Sequence, residues 1–293
     1  MRTTVHPGDT VRLREVYVHE SGTPGSPAVV FIHGGGPGGH MWRGHLDRLA
    51  GRFNCLAPDL PGFGQSNHLV PLTLDETADL LGELIEIRVP TRRAHLVGLS
   101  YGGAVVFALL GRHPDLLDRA VIDGAGVLPL WGGWGDRLVQ LGVIAVSPIV
   151  NTRPVAALLG VVGLRELGDE LRSASPRAFR RAWREGFTAP LTRAELEAPC
   201  PTLLVAGENE AVIRESNAAL AELMPHATAR FVPGLGHAWF GWRRDLHVRM
   251  IEAWLSGEEL PAELMPEPPS PSAVDRVLHR LSRGQPDAHE RSG

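Results

Sequence analysis

A serine between two glycines, placed where an apolar strand pattern changes into an apolar helix pattern, is the feature that most constrains this chain. Residues 98–103 read Gly-Leu-Ser-Tyr-Gly-Gly; Arg-Ala-His-Leu-Val precedes them and Ala-Val-Val-Phe-Ala follows. Glycine is required at such a sharp turn because side chains there would collide with the strand or the helix. The turn lifts the serine hydroxyl out of the backbone. This context makes Ser100 the candidate nucleophile.

A carboxylate and a histidine follow Ser100 in the order that such a nucleophile requires. A serine hydroxyl is weakly nucleophilic at neutral pH, so it needs a base, and an acid must orient that base. Two apolar runs downstream predict strands, and Glu210 and His237 each come shortly after one of them. Open α/β sheets build their sites at this carboxyl edge. We predict His237 as the base and Glu210 as its acid, with Asp123 as the alternative acid.

A loop with almost no side chains follows the first strongly apolar run. Residues 29–39 read Val-Val-Phe-Ile-His-Gly-Gly-Gly-Pro-Gly-Gly. Backbone N–H groups in such a loop can closely approach a ligand oxygen. We predict that the N–H groups of Gly35 and Tyr101 form an oxyanion hole, which stabilises the negative oxygen of a tetrahedral intermediate.

The same loop also fits a dinucleotide-binding fingerprint. Gly34, Gly36 and Gly39 satisfy G-x-G-x-x-G after a strand, and Asp59 follows at the spacing of a ribose-binding acid. A strand-like segment at 11–18 precedes the motif, however, whereas the fingerprint usually opens its domain. Pro37 also removes an N–H that a pyrophosphate would use. The nucleotide hypothesis leaves the serine, carboxylate and histidine unexplained, so we expect no cofactor.

Four motifs together resemble the α/β-hydrolase superfamily. They are His-Gly-Gly-Gly-Pro-Gly at 33–38, Pro-Asp-Leu-Pro-Gly-Phe-Gly-Gln-Ser at 58–66, the serine turn at 98–103, and Gly-His at 236–237. The resemblance implies a mostly parallel eight-stranded sheet flanked by helices, with a helical cap inserted between strands 6 and 7. It also implies a Ser-His-acid triad and an acyl-enzyme intermediate.

Within that superfamily, the triple-glycine loop resembles the meta-cleavage-product hydrolases, which break carbon–carbon bonds. Those enzymes usually carry asparagine before the nucleophile and tryptophan directly after the histidine. Here Leu99 and Ala238 occupy these places, and Trp239 comes one position later. The departures favour a serine esterase that acts on an ester, thioester or lactone. Carbon–carbon hydrolysis is the first alternative, and a lyase, a cyclase or a ligand-binding protein on the same fold is the second.

The alternation of predicted strands and helices, and the places where it stops, divide the chain into three parts. Residues 1–126 and 199–258 are predicted to form the hydrolase core, residues 127–198 the helical cap, and residues 259–293 a proline-rich linker with a disordered tail. Several large apolar residues of the cap should line an apolar pocket above Ser100. The candidate substrate-contacting residues are Gly36, Leu99, Trp131, Trp134, Trp183 and Trp239.

Bulk composition restricts the partners. A net charge of −4 offers no electrostatic attraction for nucleic acid. The histidines lack the spacing of a zinc site, so we expect no metal. No apolar run is long enough to span a membrane, and the amino terminus lacks an apolar signal segment. We expect a cytoplasmic enzyme, either a monomer or a homodimer, with a small hydrophobic or aromatic substrate.

Overall fold

The computed structural model describes residues 11–128, 174–188 and 191–284, together with scattered positions between 129 and 173. The described strands form one sheet in the order β1-β3-β2-β4-β5-β6-β7-β8. Neighbours from β3 through β7 are parallel, and β1 and β8 are antiparallel at the two edges. The predicted eight-stranded, mostly parallel sheet is confirmed. The strands are β1 Val18–Ser21, β2 Ala28–Ile32, β3 Asn54–Pro58, β4 Ala94–Leu99, β5 Leu117–Asp123, β6 Thr202–Gly207, β7 Ala227–Val232 and β8 Met265–Pro266.

Helices cover both faces of the sheet. The helix Leu74–Arg88 begins directly after Thr73, a residue type that is typical of a helix N-cap. Thr73 and Glu76 form a reciprocal capping box that satisfies free N–H groups of the first turn. The described helices are α1 Val11–Arg14, α2 Arg43–Leu49, α3 Leu74–Arg88, α4 Tyr101–Arg112, α5 Pro176–Thr188, α6 Arg193–Leu196, α7 Ala211–Leu223, α8 Trp239–Trp242, α9 Arg244–Ser256 and α10 Pro271–Gly284.

Two apolar cores lie on opposite faces of the sheet. Side chains of a strand alternate between its faces, so in β4 Leu96 belongs to one core and Val97 to the other. Helices α3, α4, α7 and α10 contribute to the first core, and α2 and α9 to the second. The central strands are buried on both faces, which explains why β2 reads as an uninterrupted apolar run. This double covering leaves the carboxyl ends of the strands as the edge where polar loops gather.

The amino-terminal segment differs from its prediction as a strand. Residues 11–14 form the short helix α1, and β1 begins only at Val18. Leu13 and Val16 are both buried. The Val16 N–H donates to the carbonyl oxygen of Leu13, so a turn brings these two residues to one face, while Arg14 and Glu15 are exposed. The apparent alternation of apolar and polar residues was therefore misleading.

The insertion follows the fifth strand of the described sheet. β6 comes after residues 127–198, so this segment lies between β5 and β6 in the numbering of the described strands. A helical cap between strands 6 and 7 stays a prediction. The eighth described strand is β8, which pairs with β7 near the carboxyl terminus.

The carboxyl-terminal region contains more regular structure than its proline content suggests. Met265 and Pro266, within the predicted linker, pair with β7, and α10 follows. Helix α10 buries Ala273 and Val277 in the core that also contains α7. Fully burying a valine side chain contributes about 1.5 kcal/mol. Regular structure therefore extends to Gly284; residues 285–293 of the predicted tail lie outside the described residues.

Candidate active site

Ser100 lies at the turn between β4 and α4 in a rare backbone conformation. Its φ of 55° is positive, which is uncommon for a residue other than glycine. The turn is held because the Ser100 N–H donates to the carbonyl oxygen of Asp123, at 2.8 Å. A Cβ at Gly98 would overlap the backbone of Gly102, and one at Gly102 would overlap the backbone of Ile32. The two glycines are thus required sterically, as the sequence pattern predicts.

The glycine loop after β2 lies against this turn. A Cβ built on Gly34 would be 3.6 Å from the Ser100 Cβ, and one on Gly35 would be 3.4 Å from the Tyr101 Cβ. Tyr101 is the first residue of α4, so its N–H has no partner inside the helix. Within the described residues, neither this N–H nor that of Gly35 donates to a backbone carbonyl. The structure therefore brings together the two N–H groups that are the candidate oxyanion donors.

His237 and Glu210 meet at the same edge of the sheet. The loop after β7 carries His237, whose Nδ1 is 2.7 Å from Oε1 of Glu210, in the loop after β6. The other carboxylate oxygen of Glu210 accepts the N–H of Gly207, at 2.7 Å. The Glu210 side chain is 8 % exposed and that of His237 is 49 % exposed. The carboxylate is thus fixed by two bonds while the imidazole remains accessible.

The charge of Glu210 controls the protonation of His237. Burial lowers the pKa of the imidazole, but the hydrogen bond and the negative charge of Glu210 outweigh this effect, and the nearby carboxyl group of Asp123 acts in the same direction as Glu210 to a smaller extent. The pKa of His237 is therefore raised above its ordinary value of 6.5. A carboxylate on Nδ1 also fixes the tautomer and leaves Nε2 available as a base. This arrangement can accept a proton from a hydroxyl and stabilise the resulting imidazolium.

Two residues that support His237 were missed by the sequence analysis. Gly124 has a φ of +62°, and a Cβ there would come within 2.7 Å of the His237 ring. Glu208 points away from the imidazole, and its Oε2 accepts the N–H of Gly234, at 2.6 Å, in the loop that leads to His237. A glycine directly after a strand-ending aspartate was the available signal for the first residue. No local pattern distinguishes Glu208 from any surface glutamate.

Asp59, the candidate ribose-binding acid of the nucleotide hypothesis, instead holds the glycine loop. It is 1 % exposed, and its two oxygens accept the N–H groups of Gly39, at 2.6 Å, and Gln65, at 2.7 Å. Nε2 of His19 lies 3.2 Å from the same carboxylate. Burial raises the pKa of Asp59, but these bonds and the His19 contact outweigh it, so the net pKa is lowered. Its hydrogen-bonding capacity is thus used within the protein.

Helix α5, from the predicted cap, packs over the glycine loop and the start of α4. A Cβ on Gly35 would be 2.9 Å from the Ala182 Cβ, and one on Gly186 would be 3.5 Å from the Tyr101 ring. Trp183 on the same helix is half-buried, and its ring lies 5.9 Å from that of Phe179, measured between centroids. Part of the insertion therefore lies directly above the candidate site.

The other residues predicted to contact the substrate do not lie on helix α5. Leu99 is buried in the second core, and Trp239 is fully buried, with its indole N–H donating to Oδ1 of Asp123 at 3.0 Å. A substrate contact by these two residues stays a prediction. Gly36 is also buried, and its N–H donates to the Gly34 carbonyl oxygen. Trp131 and Trp134 lie outside the described residues.

A search of the described residues finds no group of histidine, cysteine, aspartate or glutamate side chains arranged to hold a metal ion. The same residues contain no helix that is both long and apolar enough to cross a membrane.

The chain belongs to the alpha/beta hydrolase family, whose model matches residues 29–247. This match spans the glycine loop, the serine turn and the loop that carries His237.

Relatives and solved structures of several kinds share this family's fold. An uncharacterized protein of Mycobacterium tuberculosis is 27 % identical over 266 residues, which cover 81 % of this chain and 77 % of that protein. The 2-hydroxymuconate semialdehyde hydrolase of a Pseudomonas species is 28 % identical over 242 residues, 75 % of this chain and 83 % of that enzyme. A thermophilic esterase from Thermogutta terrifontis superposes with a TM-score of 0.69 at 23 % identity, covering 83 % of this chain and 93 % of the esterase.

Proposed function

We propose that this protein is a serine hydrolase that cleaves an ester, thioester or lactone through a triad of Ser100, His237 and Glu210. The observation that carries the proposal is the 2.7 Å hydrogen bond between Glu210 and His237 at the sheet edge where Ser100 holds its strained turn. Non-glycine residues persist at such dihedral angles only where the surrounding structure enforces them, and they cluster at functional sites.

The proposed reaction has two halves. The Ser100 Oγ attacks the substrate carbonyl carbon while Nε2 of His237 takes the hydroxyl proton, and Glu210 stabilises the imidazolium. The carbonyl oxygen becomes an oxyanion held by the N–H groups of Gly35 and Tyr101. The imidazolium then gives its proton to the departing oxygen or sulfur, which leaves an acyl-enzyme. A water molecule, deprotonated by His237, attacks the acyl carbon and restores free Ser100.

The substrate class follows from the proposed cap, residues 127–198. Helix α5 places Ala182 against Gly35 and the half-buried Trp183 on the next position along the helix. The contact of Ala182 with the glycine loop is apolar, and an apolar covering of the site favours a small hydrophobic or aromatic acyl group over a sugar or a peptide.

Carbon–carbon hydrolysis is the second candidate, favoured by the similarity to the 2-hydroxymuconate semialdehyde hydrolase. A charged dienoate would need a cation in the pocket. Among the described cap arginines, Arg181 and Arg184 both lie within 4 Å of the Glu185 carboxylate, at 3.8 and 3.5 Å, and Arg180 donates to the Ser147 hydroxyl. These three arginines therefore already have partners within the protein. These pairings favour the ester reaction.

Activity-based labelling combined with a substrate panel tests the proposal. We expect a fluorophosphonate to label the wild-type protein and Ser282→Ala, a control on the exposed face of α10, but not Ser100→Ala. On purified wild-type protein we expect turnover of short or aromatic p-nitrophenyl esters, reduced by about four orders of magnitude or more in Ser100→Ala.

Equal labelling of Ser100→Ala and the wild type would remove Ser100 from the mechanism. A kcat/KM for a meta-cleavage dienoate at least about tenfold above that for the best ester, equivalent to about 1.4 kcal/mol of transition-state binding, would replace ester hydrolysis by carbon–carbon hydrolysis. That result would also require an arginine to face the pocket.

A further inference from the structure

A buried row of three ionisable side chains begins beside the candidate active site and runs into the second core. Asp123, the last residue of β5, lies with its Oδ2 3.3 Å from Nε2 of His247, on α9. Nδ1 of His247 is 2.9 Å from Nε2 of His45, on α2. All three side chains are at most 1 % exposed. Trp42 and Trp239 pack against the His247 ring.

The hydrogen-bonding groups at the contact between Asp123 and His247 require one shared proton. Within the described residues, neither Oδ2 of Asp123 nor Nε2 of His247 has a hydrogen-bond partner of good geometry, and the two atoms lie 3.3 Å apart. A carboxylate oxygen and a bare imidazole nitrogen are both acceptors, so their approach requires a proton on one of them. A proton on Nε2 of a neutral His247 would also pair the two atoms, but it would leave a charged carboxylate fully buried, which is costly. A proton on Oδ2 pairs them without that buried charge. His247 then carries its own proton on Nδ1 and donates it to His45.

The electrostatic surroundings place that proton on the carboxyl group. Burial raises the pKa of Asp123 to about 8, and the negative charge of Glu210 acts in the same direction; the Trp239 hydrogen bond and His237 oppose them. Burial lowers the pKa of His247 to about 3. His45, with Arg48 and Arg244 near it, also has a lowered pKa because of burial and these neighbours. Burial and Glu210 outweigh the opposing groups at Asp123, so the net effect is a neutral Asp123 beside an uncharged His247 near neutral pH.

Asp123 connects the two halves of the candidate site. Its carbonyl oxygen accepts the Ser100 N–H, and its Oδ1 accepts the indole N–H of Trp239, at 3.0 Å. The Trp239 backbone N–H in turn donates to the Gly236 carbonyl oxygen, which closes a tight turn around His237. The side chain of Asp123 therefore fixes the turn that carries the imidazole, while its backbone fixes the nucleophile turn.

We propose that Asp123 is a positioning residue that acts as a neutral carboxylic acid: it accepts from Trp239, donates to His247, and so holds the His237 turn without serving as the acid of the triad. This inference rests on the proposed function, because it assigns a role within the same site. A neutral Asp123 also leaves Glu210 as the negative partner of His237.

The decisive variant is Asp123→Asn. An amide has the shape of a protonated carboxyl group and can make the same two bonds, accepting from the Trp239 indole with its oxygen and donating to His247 with its nitrogen. We expect its kcat/KM for the best ester to stay within about threefold of wild type, and the acidic limb of its pH profile to stay in place. Asp123→Ala removes both bonds, and we expect kcat to fall about 100-fold with little change in KM, because misplacement of a catalytic group has effects of that size.

Trp239→Phe provides the second test, because it removes the indole N–H and keeps a large ring in the core. We expect a loss of kcat between those of Asp123→Asn and Asp123→Ala, on the order of tenfold. Unfolding midpoints measured on each variant show whether the protein still folds. If Asp123→Ala does not fold, the contrast between Asp123→Asn and Trp239→Phe remains interpretable, since both preserve the packed volume.

A measurement independent of activity separates this inference from the proposed function. The carboxyl ¹³C signal of Asp123, assigned by its absence in Asp123→Asn, should remain at the position of a protonated acid at pH 6 and titrate near pH 8. A signal that titrates near the ordinary aspartate value would overturn the proposal, whatever the substrate is. So would a loss of activity in Asp123→Asn as large as that in Glu210→Gln. Absence of fluorophosphonate labelling at Ser100 would contradict the proposed function while leaving the ¹³C titration as the test of the neutral acid.

Discussion

The two carboxyl groups near His237 occupy contrasting surroundings. Glu210 lies in a loop, accepts a backbone N–H from Gly207 and contacts the imidazole directly, at 2.7 Å. Asp123 ends a central strand, is fully buried, and contacts an indole and the neutral His247. Proximity to the base is therefore not enough to define the acid, because the two side chains differ in the partners that stabilise a negative charge.

This difference shows how a fold assigns roles to residues of the same chemical type. A carboxyl group in direct contact with a base can stabilise the cation that the base becomes, whereas full burial among apolar rings favours the protonated form of a carboxyl group. In this chain the loop after β6 provides the first environment and the end of β5 provides the second. If the two carboxyl groups differ in charge as we propose, substitutions at Glu210 and Asp123 should differ in their effects on kcat and on the pH profile.

The largest expected effect concerns Glu210→Gln. Glutamine can hold the imidazole in the wrong tautomer and cannot stabilise its cation, so we expect kcat to fall about 1,000-fold or more. The matched control is Glu208→Gln, two positions earlier in the same loop, whose side chain binds the Gly234 N–H and not His237. We expect the control to lose less than about tenfold. Steady-state kinetics on the best ester provide both values, and equal losses would remove the distinction between the two glutamates.

The sequence predicted the elements that rest on local chemistry. The nucleophile turn follows from two glycines that have no room for a Cβ, and the start of α3 follows from the Thr73 capping box. The strand whose loop carries Glu210 follows from an apolar run, because β6 is buried on both faces. β7, which leads to His237, is only partly buried, and it follows from a shorter apolar segment. The fold class and the family could therefore be identified before any contact was known.

Features that depend on long-range contacts could not be predicted in this way. β8 and α10 lie in a proline-rich region, and they are ordered because Met265 pairs with β7 and Val277 enters a core built mainly from distant residues. The contact of Asp123 with His247 joins residues more than 100 positions apart, as does its contact with Trp239. Nothing in the local sequence distinguishes Trp239, buried behind the site, from a tryptophan that lines a pocket.

The second effect, in order of size, concerns the backbone beside His237. A methyl group at Gly124 would come within 2.7 Å of the imidazole and would also strain a residue with a φ of +62°. We therefore expect Gly124→Ala to lower kcat about 100-fold by displacing the base. Gly51→Ala is the matched control, because its Cβ meets nothing within 4 Å and its φ is not in the positive region. An active Gly124→Ala would mean that His237 tolerates displacement or is not the base.

The smallest expected effect is a shift in pH dependence, and it separates the two carboxyl groups most directly. His237 must be neutral to accept the Ser100 proton, so kcat/KM should fall as the pH decreases through the pKa of His237 in the free enzyme. Glu210 raises that pKa above 6.5, so the acidic limb of the wild-type profile should lie above pH 6.5.

In Glu210→Gln the stabilising charge is lost while burial still favours the neutral ring, and the limb should move below pH 6.5. In Asp123→Asn it should remain at the wild-type position, because a neutral acid contributes no charge to be lost. A limb that moves by the same amount in both variants would show that both carboxyl groups are ionised beside His237, and the contrast between them would then have to be abandoned.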